Sequence, residues 1–360
     1  MSNMGRIMRA ANRFFFRVDR GPAIGTGHWA RCQVLGDALR AQGAAVGFDE
    51  SSASPAEFLR SAMSQGAQDG NWVVFDSYCL DEEWEIQARA AGLKVLTIDD
   101  SPRRHYSADV LLDPNLSELG AERWRGAVAS HTRVWAGANY LLLRGEFFEA
   151  GAESPGPAGP HSLGERAADQ PLHILVSMGG ADPPGMALRV VQALTFLKEN
   201  PRALGLWADA AQMLDGVTGF RTTVLGGAMN PRAAELQALV AGLPDAEYRA
   251  SSNSVARLMV EADLCIGAGG ITIWERAYMG LPSLVVTLAE NQREATDYLQ
   301  RLGAHVALGW HDDLEPVGLA LAIGRALADP AGMRAMAVKA KVLVGEPGFV
   351  RDPLGYLLRV

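Results

Sequence analysis

Short apolar runs alternate with longer amphipathic stretches along most of the chain. The short runs contain β-branched or aromatic residues, which predicts strands, whereas the longer stretches repeat apolar residues three and four positions apart, which predicts helices. The predicted strands are 14–18, 72–75, 94–98, 109–112, 133–136, 173–177, 205–208, 222–225, 263–267, 283–287 and 304–308. The clearest predicted helices are 28–42, 185–199, 231–240 and 291–302. This alternation is typical of an α/β fold with mostly parallel sheets.

The alternation is interrupted over residues 151–171, whose sequence GAESPGPAGPHSLGERAADQP is rich in Pro, Gly, Ala and Ser. That composition predicts a linker or a mobile loop, and it leaves five or six predicted strands on either side. We therefore predict two doubly wound, Rossmann-like domains that face a cleft. The predicted domains are 1–150 and 172–345, with residues 346–360 packing back on the N-terminal domain.

Composition and charge narrow the class of protein. The 360 residues include 33 Lys and Arg against 41 Asp and Glu, a net charge of −8, which argues against nucleic acid as a partner. No apolar run approaches the roughly 18 residues of a membrane span, and the first residues lack the apolar core of a secretory signal. The three cysteines show no CxxC spacing, so we expect neither a disulfide framework nor a metal site. These features favour a cytoplasmic protein without stable membrane association.

The first strand leads into a glycine loop and a histidine. Ligands of parallel sheets bind beyond the carboxyl ends of the strands, so the residues Gly25, Thr26 and Gly27 are candidates for substrate binding. His28 follows at the predicted start of a helix, where the helix dipole disfavours imidazolium and leaves the neutral imidazole that a general base needs. A role in capping the helix or packing under the loop is the alternative for His28. The spacing does not match the GxGxxG fingerprint of dinucleotide binding.

Polar residues also follow the strands 72–75 and 94–98. Tyr78 combines a flat ring with a hydroxyl, which suits contact with a sugar, although a structural tyrosine fits the sequence as well. Acidic residues at strand ends commonly cap the next helix, so Asp76, Asp99 and Asp100 are predicted to be structural. The charged residues predicted to brace the first loop are Arg17, Asp19 and Arg31.

Three strand exits in the second half combine glycine turns with polar side chains. The glycine-rich turn that opens a helix near Thr272 offers amide groups and a helix dipole to a phosphate. Glu275 can accept both hydroxyls of a ribose, or it is simply a favourable acid in the first helical turn. The residues predicted to bind substrate here are Met178, Gly179, Gly180, Gly269, Gly270, Ile271, Thr272, Glu275, Glu290, Asn291 and Gln292. The last three could instead cap the helix that runs to Leu302. Together these exits predict a ligand of nucleotide-sugar size, with its diphosphate on the second domain.

Several of these motifs follow one another in a recognisable order. They are IGTGHxxRC, FDSYxLDxxWE, IDDxPxR, ANYLLLRGEF, SMGGAD, GAGGxTxWERAxxGLP and AENQ. In these motifs, from about Arg17 to Gly309, the chain resembles the UDP-2,4-diacetamido-2,4,6-trideoxy-β-L-altropyranose hydrolases of pseudaminic acid biosynthesis. That family is similar in fold to the two-domain GT-B glycosyltransferases.

The resemblance implies hydrolysis at the anomeric carbon of a UDP-sugar without metal or cofactor, by a monomer or weak dimer that serves flagellin glycosylation. It implies that His28 activates water and that Tyr78 and Asn291 lie near the sugar. It also implies that UDP is held by residues of the second domain, which are Gly179, Gly180, Gly269, Gly270 and Glu275.

One departure from the family and two alternative functions stay open at this point. Ile271 stands where family members often have serine, which removes one hydroxyl from the phosphate turn. A glycosyltransferase on the same scaffold would use an acceptor hydroxyl in place of water. A non-catalytic nucleotide-sugar-binding protein would not require His28.

Overall fold

The structure, a computed structural model, describes residues 12–19, 27–153, 171–200 and 219–360. The predicted strand 205–208, the residues Gly25 and Thr26, and most of the predicted linker lie outside the described residues. Contacts between Cα atoms divide the chain into two compact units. The first unit comprises Met1–Gly145 with Glu346–Val360, and the second comprises Glu146–Gly345.

The first unit contains a parallel sheet of six strands. The strands are β1 (Arg13–Val18), β2 (Ala45–Asp49), β3 (Trp72–Asp76), β4 (Lys94–Ile98), β5 (Val110–Asp113) and β6 (Arg133–Ala136). Its described helices are α1 (Gly27–Ala41), α2 (Pro55–Ser64), α3 (Glu82–Ala90) and, near the end of the chain, α12 (Pro353–Leu357). The strand order is β2-β1-β3-β4-β5-β6, so the direction of winding reverses between β1 and β3. Such a reversal separates the loops that follow the two strands and opens a crevice for a ligand.

The second unit repeats this plan with six further parallel strands. The strands are β7 (Leu172–Ser177), β8 (Phe220–Leu225), β9 (Ala246–Arg249), β10 (Leu264–Ala268), β11 (Ser283–Thr287) and β12 (Val306–Trp310). The described helices are α4 (Gly145–Glu153, which begins at the boundary of the units), α5 (Met186–Glu199), α6 (Ala233–Ala241), α7 (Val255–Glu261), α8 (Thr272–Met279), α9 (Arg293–Leu302), α10 (Pro316–Leu327) and α11 (Pro330–Val344). The order β12-β11-β10-β7-β8-β9 places the reversal between β7 and β10.

Short 3-10 helices complete the described elements, at Gly120–Trp124, Ala138–Tyr140, Glu290–Gln292, His311–Asp313 and Phe349–Arg351. Within the described ranges, no helix has both the length and the apolar character that crossing a bilayer requires.

The two parallel sheets confirm the predicted α/β class, and each predicted strand within the described residues is present. The sequence pattern missed β2 and β9, which are edge strands of their sheets. An edge strand is covered on fewer sides, and the residues of both strands are half-buried or exposed. Their sequences, AVGFD and AEYR, therefore lack the unbroken apolar run that marks a central strand. The cleft expected from sequence stays a prediction.

Residues 346–360 pack on the edge strand β6 of the first unit. Phe349 is fully buried, and its ring lies 5.4 Å from Trp135 and 5.8 Å from Tyr356, measured between ring centroids. The Arg133 guanidinium donates a hydrogen bond to the carbonyl of Arg359 at 2.9 Å. The segment thereby covers an edge that would otherwise expose unpaired backbone groups.

We expect Phe349→Ala to destabilise the first unit by about 3–5 kcal/mol, because it leaves a cavity among the aromatic rings. Urea unfolding followed by tryptophan fluorescence measures the change. Leu358→Ala is the matched control, since Leu358 belongs to the same segment but is 57% exposed. Equal unfolding midpoints for the two variants would contradict this packing role.

Candidate functional site

In the first unit, the histidine predicted from sequence meets a carboxylate at the reversal of the strand order. His28 lies in the first described turn of α1, which follows β1, and Asp76 is the last residue of β3. Both side chains are buried. The β1–β3 pairing sets Val18 beside Asp76, which brings the two strand ends to one point of the sheet edge. His28 and Asp76 therefore meet because β1 and β3 are neighbouring parallel strands.

The geometry of this pair fixes the tautomer of His28. Nδ1 of His28 lies 2.5 Å from Oδ1 of Asp76, and two acceptor atoms would repel each other at that distance. The proton must therefore sit on Nδ1 and be donated to Asp76. Nε2 then carries the lone pair, and no described group hydrogen-bonds to it. This arrangement leaves Nε2 able to accept a proton.

Arg31 also holds the carboxylate of Asp76, and its Nη2 lies 3.1 Å from Nδ1 of His28. Its Nε donates to Oδ2 at 2.6 Å and its Nη2 to Oδ1 at 2.5 Å, while the Cys32 thiol donates to Oδ2 at 3.3 Å. Burial alone would raise the pKa of Asp76, but Arg31 and His28 lower it to about 2. Asp76 is therefore ionised at neutral pH, and the pKa of the Cys32 thiol is raised by burial and by Asp76.

Tyr78 lies directly against His28. The two rings meet edge to face, with centroids 4.3 Å apart, and Tyr78 is 36% exposed. The Tyr78 hydroxyl donates to Oδ2 of Asp100 at 2.7 Å, and the Arg103 guanidinium lies 3.6 Å from the centre of its ring. Arg31 also donates to Asp100, at 3.3 Å. The first unit thus joins His28 and Tyr78 through one continuous network of charged hydrogen bonds.

Asp76 does not cap the next helix, and its carboxylate binds groups of α1 instead. The next helix, α3, has Asp81 at its N-cap position, and the oxygens of Asp76 are engaged by His28, Arg31 and Cys32. Asp81 lies five positions after Asp76, so Asp76 is too far from the start of α3 to cap it, and that spacing is visible in the sequence. The identity of its partners could not be read from sequence, because His28 lies 48 positions away.

The other acidic residues near these strand ends have mainly local partners. Asp19 accepts a hydrogen bond from Arg17 at 2.8 Å and another from the Ser77 hydroxyl, so the predicted bracing pair is present. Asp99 accepts from the Tyr106 hydroxyl at 2.7 Å and from the amides that follow it. Among the described residues, no group of three side chains is arranged to hold a metal ion.

In the second unit, the glycine turn after β7 packs against the loop that contains Gly227, and the helix that follows the turn is already capped. Gly179 has φ of +87°, and a Cβ at Gly227 would lie 2.5 Å from the Gly179 carbonyl, so the two loops approach backbone to backbone. The carboxylate of Asp182 accepts from the amides of Met186 and Ala187, at 2.9 and 2.8 Å. The amides at the start of α5 are therefore already bound by a side chain of the protein. The side chain of Met178, a predicted binding residue, packs in the apolar core.

The glycine turn after β10 is built differently, because no side chain caps its helix. Ile271 occupies the N-cap position of α8 without a capping hydrogen bond. The hydrogen bonds of the described residues leave the amides of Gly270 and Ile271 unused. A Cβ at Gly269 would lie 2.6 Å from Oγ1 of Thr296, so this position has no room for a side chain. Uncapped amides at a helix start are a general anion site.

The remaining predicted residues of the second unit lie near this turn or in the loop before α9. Glu275 is buried in the first turn of α8. Gln292 accepts from the amide of Leu288 at 2.9 Å, and its Nε2 lies 3.7 Å from the Cβ position of Gly270. Glu290 pairs with Arg293 at 2.7 Å on the surface, and Asn291 is exposed. The roles assigned to these side chains, and the proximity of Asn291 to the sugar, stay predictions.

Comparison with known proteins identifies relatives but no family model that matches the chain. The chain is 26% identical to the spore coat polysaccharide biosynthesis protein SpsG of Bacillus subtilis over 190 residues, which are 53% of this chain and 48% of that protein. The chain spans about half the length of the curated relatives it matches.

Solved structures with the same fold cover nearly the whole chain. MurG of Acinetobacter baumannii matches with a TM-score of 0.66 at 16% identity, over 97% of this chain and 100% of that one. The glycosyltransferase SnogD of Streptomyces nogalater matches with a TM-score of 0.61 at 16% identity, over 97% and 99%. These likenesses confirm the GT-B type of fold with two Rossmann-like domains.

The ionisation of Asp76 predicts how the stability of the first unit depends on pH. Its pKa falls from 3.8 to about 2 on folding, so its contribution of about 2 kcal/mol is complete above pH 4 and is lost as the pH falls through 2. We expect the difference in unfolding free energy between the wild type and Asp76→Asn to shrink over that range, as measured by urea unfolding.

Asp37→Asn is the control for this measurement, because Asp37 is an exposed carboxylate of the same unit. Its curve should run parallel to that of the wild type. A constant difference between wild type and Asp76→Asn from pH 5 to pH 2 would contradict the buried ion pair.

Proposed function

We propose that the protein hydrolyses the anomeric C–O bond of a UDP-linked 2,4-diacetamido-2,4,6-trideoxy sugar and releases UDP and the free sugar. The observation that carries the proposal is the buried Asp76–His28 pair with Nε2 of His28 left as an acceptor. The likeness to SpsG, a protein of polysaccharide biosynthesis, and the GT-B fold support a nucleotide sugar as the substrate.

His28 acts as the general base in this proposal. Nε2 takes a proton from a water molecule as the water oxygen attacks the anomeric carbon, and the bond from that carbon to the phosphate oxygen breaks. The positive charge that forms on the imidazole lies 2.5 Å from the carboxylate of Asp76, which stabilises it. Arg31 keeps Asp76 ionised and in place through two hydrogen bonds.

The leaving group explains why one base is enough. Glycosidases that expel a sugar alkoxide need a carboxylic acid to protonate it, whereas UDP departs as a stable anion. The protein then has to supply only donors for the diphosphate. The uncapped start of α8, with the amides of Gly270 and Ile271, suits that role better than the start of α5, which Asp182 occupies. Glu275 is proposed to bind the ribose.

Tyr78 is proposed to contact the sugar. Its partly exposed ring lies beside His28, and its hydroxyl donates to Asp100, so the ring has a defined orientation. A rigid apolar surface next to the base can align the pyranose ring for attack.

A glycosyltransferase is the second candidate, because the structural neighbours MurG and SnogD share the fold. The test is incubation with a panel of UDP- and CMP-linked diacetamido sugars without any acceptor, followed by NMR of the free nucleotide and the anomeric configuration. We expect stoichiometric UDP and free sugar from one member of the panel. Turnover that requires an added hydroxyl acceptor would identify a glycosyltransferase, and tight UDP binding without turnover would identify a binding protein.

We expect His28→Ala to lower turnover by roughly 10²–10⁴, the usual size of general-base assistance, while the Kd for UDP changes little. Steady-state release of UDP and calorimetric titration measure the two quantities. His105→Ala is the matched control, since His105 lies in the same unit and pairs with Glu82 on the surface. Near-normal turnover of His28→Ala would remove His28 from the role of base.

A further inference from the structure

A buried arginine lies directly behind the glycine turn after β10. Arg276 belongs to α8 and is 1% exposed. Its Nη2 donates to the carbonyl of Ala268 at 2.7 Å, and its Nη1 donates to Oγ1 of Thr272 at 3.0 Å. A Cβ at Gly267 would lie 2.8 Å from Nη1, so that glycine makes room for the guanidinium. Arg276 therefore touches both the strand end and the helix start that flank the turn.

Arg276 lacks a carboxylate partner. In the described part of the chain, no carboxylate oxygen forms an ion pair with its guanidinium, and its Nε has no hydrogen-bond partner. The other deeply buried arginine, Arg31, is paired with both Asp76 and Asp100. Burial lowers the pKa of Arg276, and Cys265 and Glu275 oppose that shift, yet a guanidinium stays charged in proteins. A buried charge without a counter-ion is unfavourable and uncommon.

Glu275 is the carboxylate whose charge acts on Arg276, although the two do not form an ion pair among the described contacts, and two other neighbouring groups are neutral. Burial and the charge of Arg276 lower the pKa of His305 to about 4, so His305 is neutral at pH 7. Burial raises the pKa of Cys265 to about 11, so its thiol is also neutral. Thr296 Oγ1 and His305 Nδ1 are buried without partners, and the former lies 2.6 Å from the Cβ position of Gly269. The buried surroundings of the turn are thus polar, and some of their hydrogen-bonding atoms have no partner among the described residues.

The backbone amides of the same turn also favour a negative charge. The amides of Gly270 and Ile271 are unused, and α8 directs the positive end of its dipole there. The two glycines of the turn have no side chains to separate a ligand from these amides or from the buried guanidinium. The electrostatic potential at the turn is therefore positive, and it acts strongly on an anion because the buried surroundings have a low dielectric constant. An anion bound on the turn would supply a negative charge close to a guanidinium that no described carboxylate pairs with directly.

We infer that Arg276 is the built-in counter-charge for the phosphoryl groups of the nucleotide, acting through the Gly269–Gly270 turn and making this turn selective for diphosphate. The inference rests on the proposed function for the identity of the nucleotide. Arg276 does not touch the ligand, so it is a positioning residue whose charge stabilises bound diphosphate and the UDP that leaves. A residue that merely braced the turn would affect every ligand of the site equally.

The test is calorimetric titration of the full-length protein with uridine, UMP and UDP. We expect Arg276→Gln, which keeps a donor and removes the charge, to weaken UDP binding about tenfold or more and to leave uridine binding nearly unchanged. Arg276→Lys should retain most of the affinity for UDP. Arg189→Gln is the matched control, because Arg189 of the same unit also donates to backbone carbonyls, those of His311 and Leu314.

Parallel losses for uridine and UDP in Arg276→Gln, with no rescue by Arg276→Lys, would overturn the inference and leave the proposed function standing. Failure of UDP to bind the wild type would instead overturn the proposed function. Where Arg276→Gln does not fold, inorganic pyrophosphate is the probe, and it should compete with UDP on both the wild type and Arg276→Lys. Absence of competition on the wild type would also overturn the inference.

Discussion

The hydrogen bond between His28 and Asp76 is the interaction on which the chemistry of the first unit depends. It exists because the strand order reverses between β1 and β3, so that a helix start and a strand end meet at one point of the sheet edge. The carboxylate selects one tautomer of the neutral imidazole and leaves the lone pair on Nε2. Arg31 makes the arrangement durable, because it offsets the cost of burying Asp76 as an anion.

The second unit uses the same reversal of strand order for a different electrostatic purpose. Its two glycine turns follow the two strands at the reversal, and their backbones can approach a ligand closely. The helix after the β7 turn is capped by Asp182, whereas the turn after β10 has uncapped amides and lies beside Arg276, which forms no ion pair with a described carboxylate. Of these two turns, the turn after β10 is therefore the one whose electrostatic potential favours a bound anion.

The two buried arginines show how the fold distributes charge. Arg31 forms ion pairs with two carboxylates at strand ends, Asp76 and Asp100. Its charge is therefore balanced within the first unit, where it orients Asp76. Within the described residues, Arg276 forms hydrogen bonds to a carbonyl and a hydroxyl but no ion pair with a carboxylate. Arg31 thus orients a side chain of the protein, whereas Arg276 is proposed to stabilise a bound ligand.

The sequence by itself determined the α/β class and the central strands, because buried parallel strands require unbroken apolar runs that are visible without a structure. It also located the glycine turns and His28, since strand exits are local features. Edge strands such as β9 escaped, because partial burial leaves no such run. Tertiary structure alone decided that Asp76 contacts His28 and that Arg276 is buried without an ion pair to a described carboxylate. Those facts depend on which distant strand ends become neighbours, and hydrophobic periodicity does not encode the partners of a buried charge.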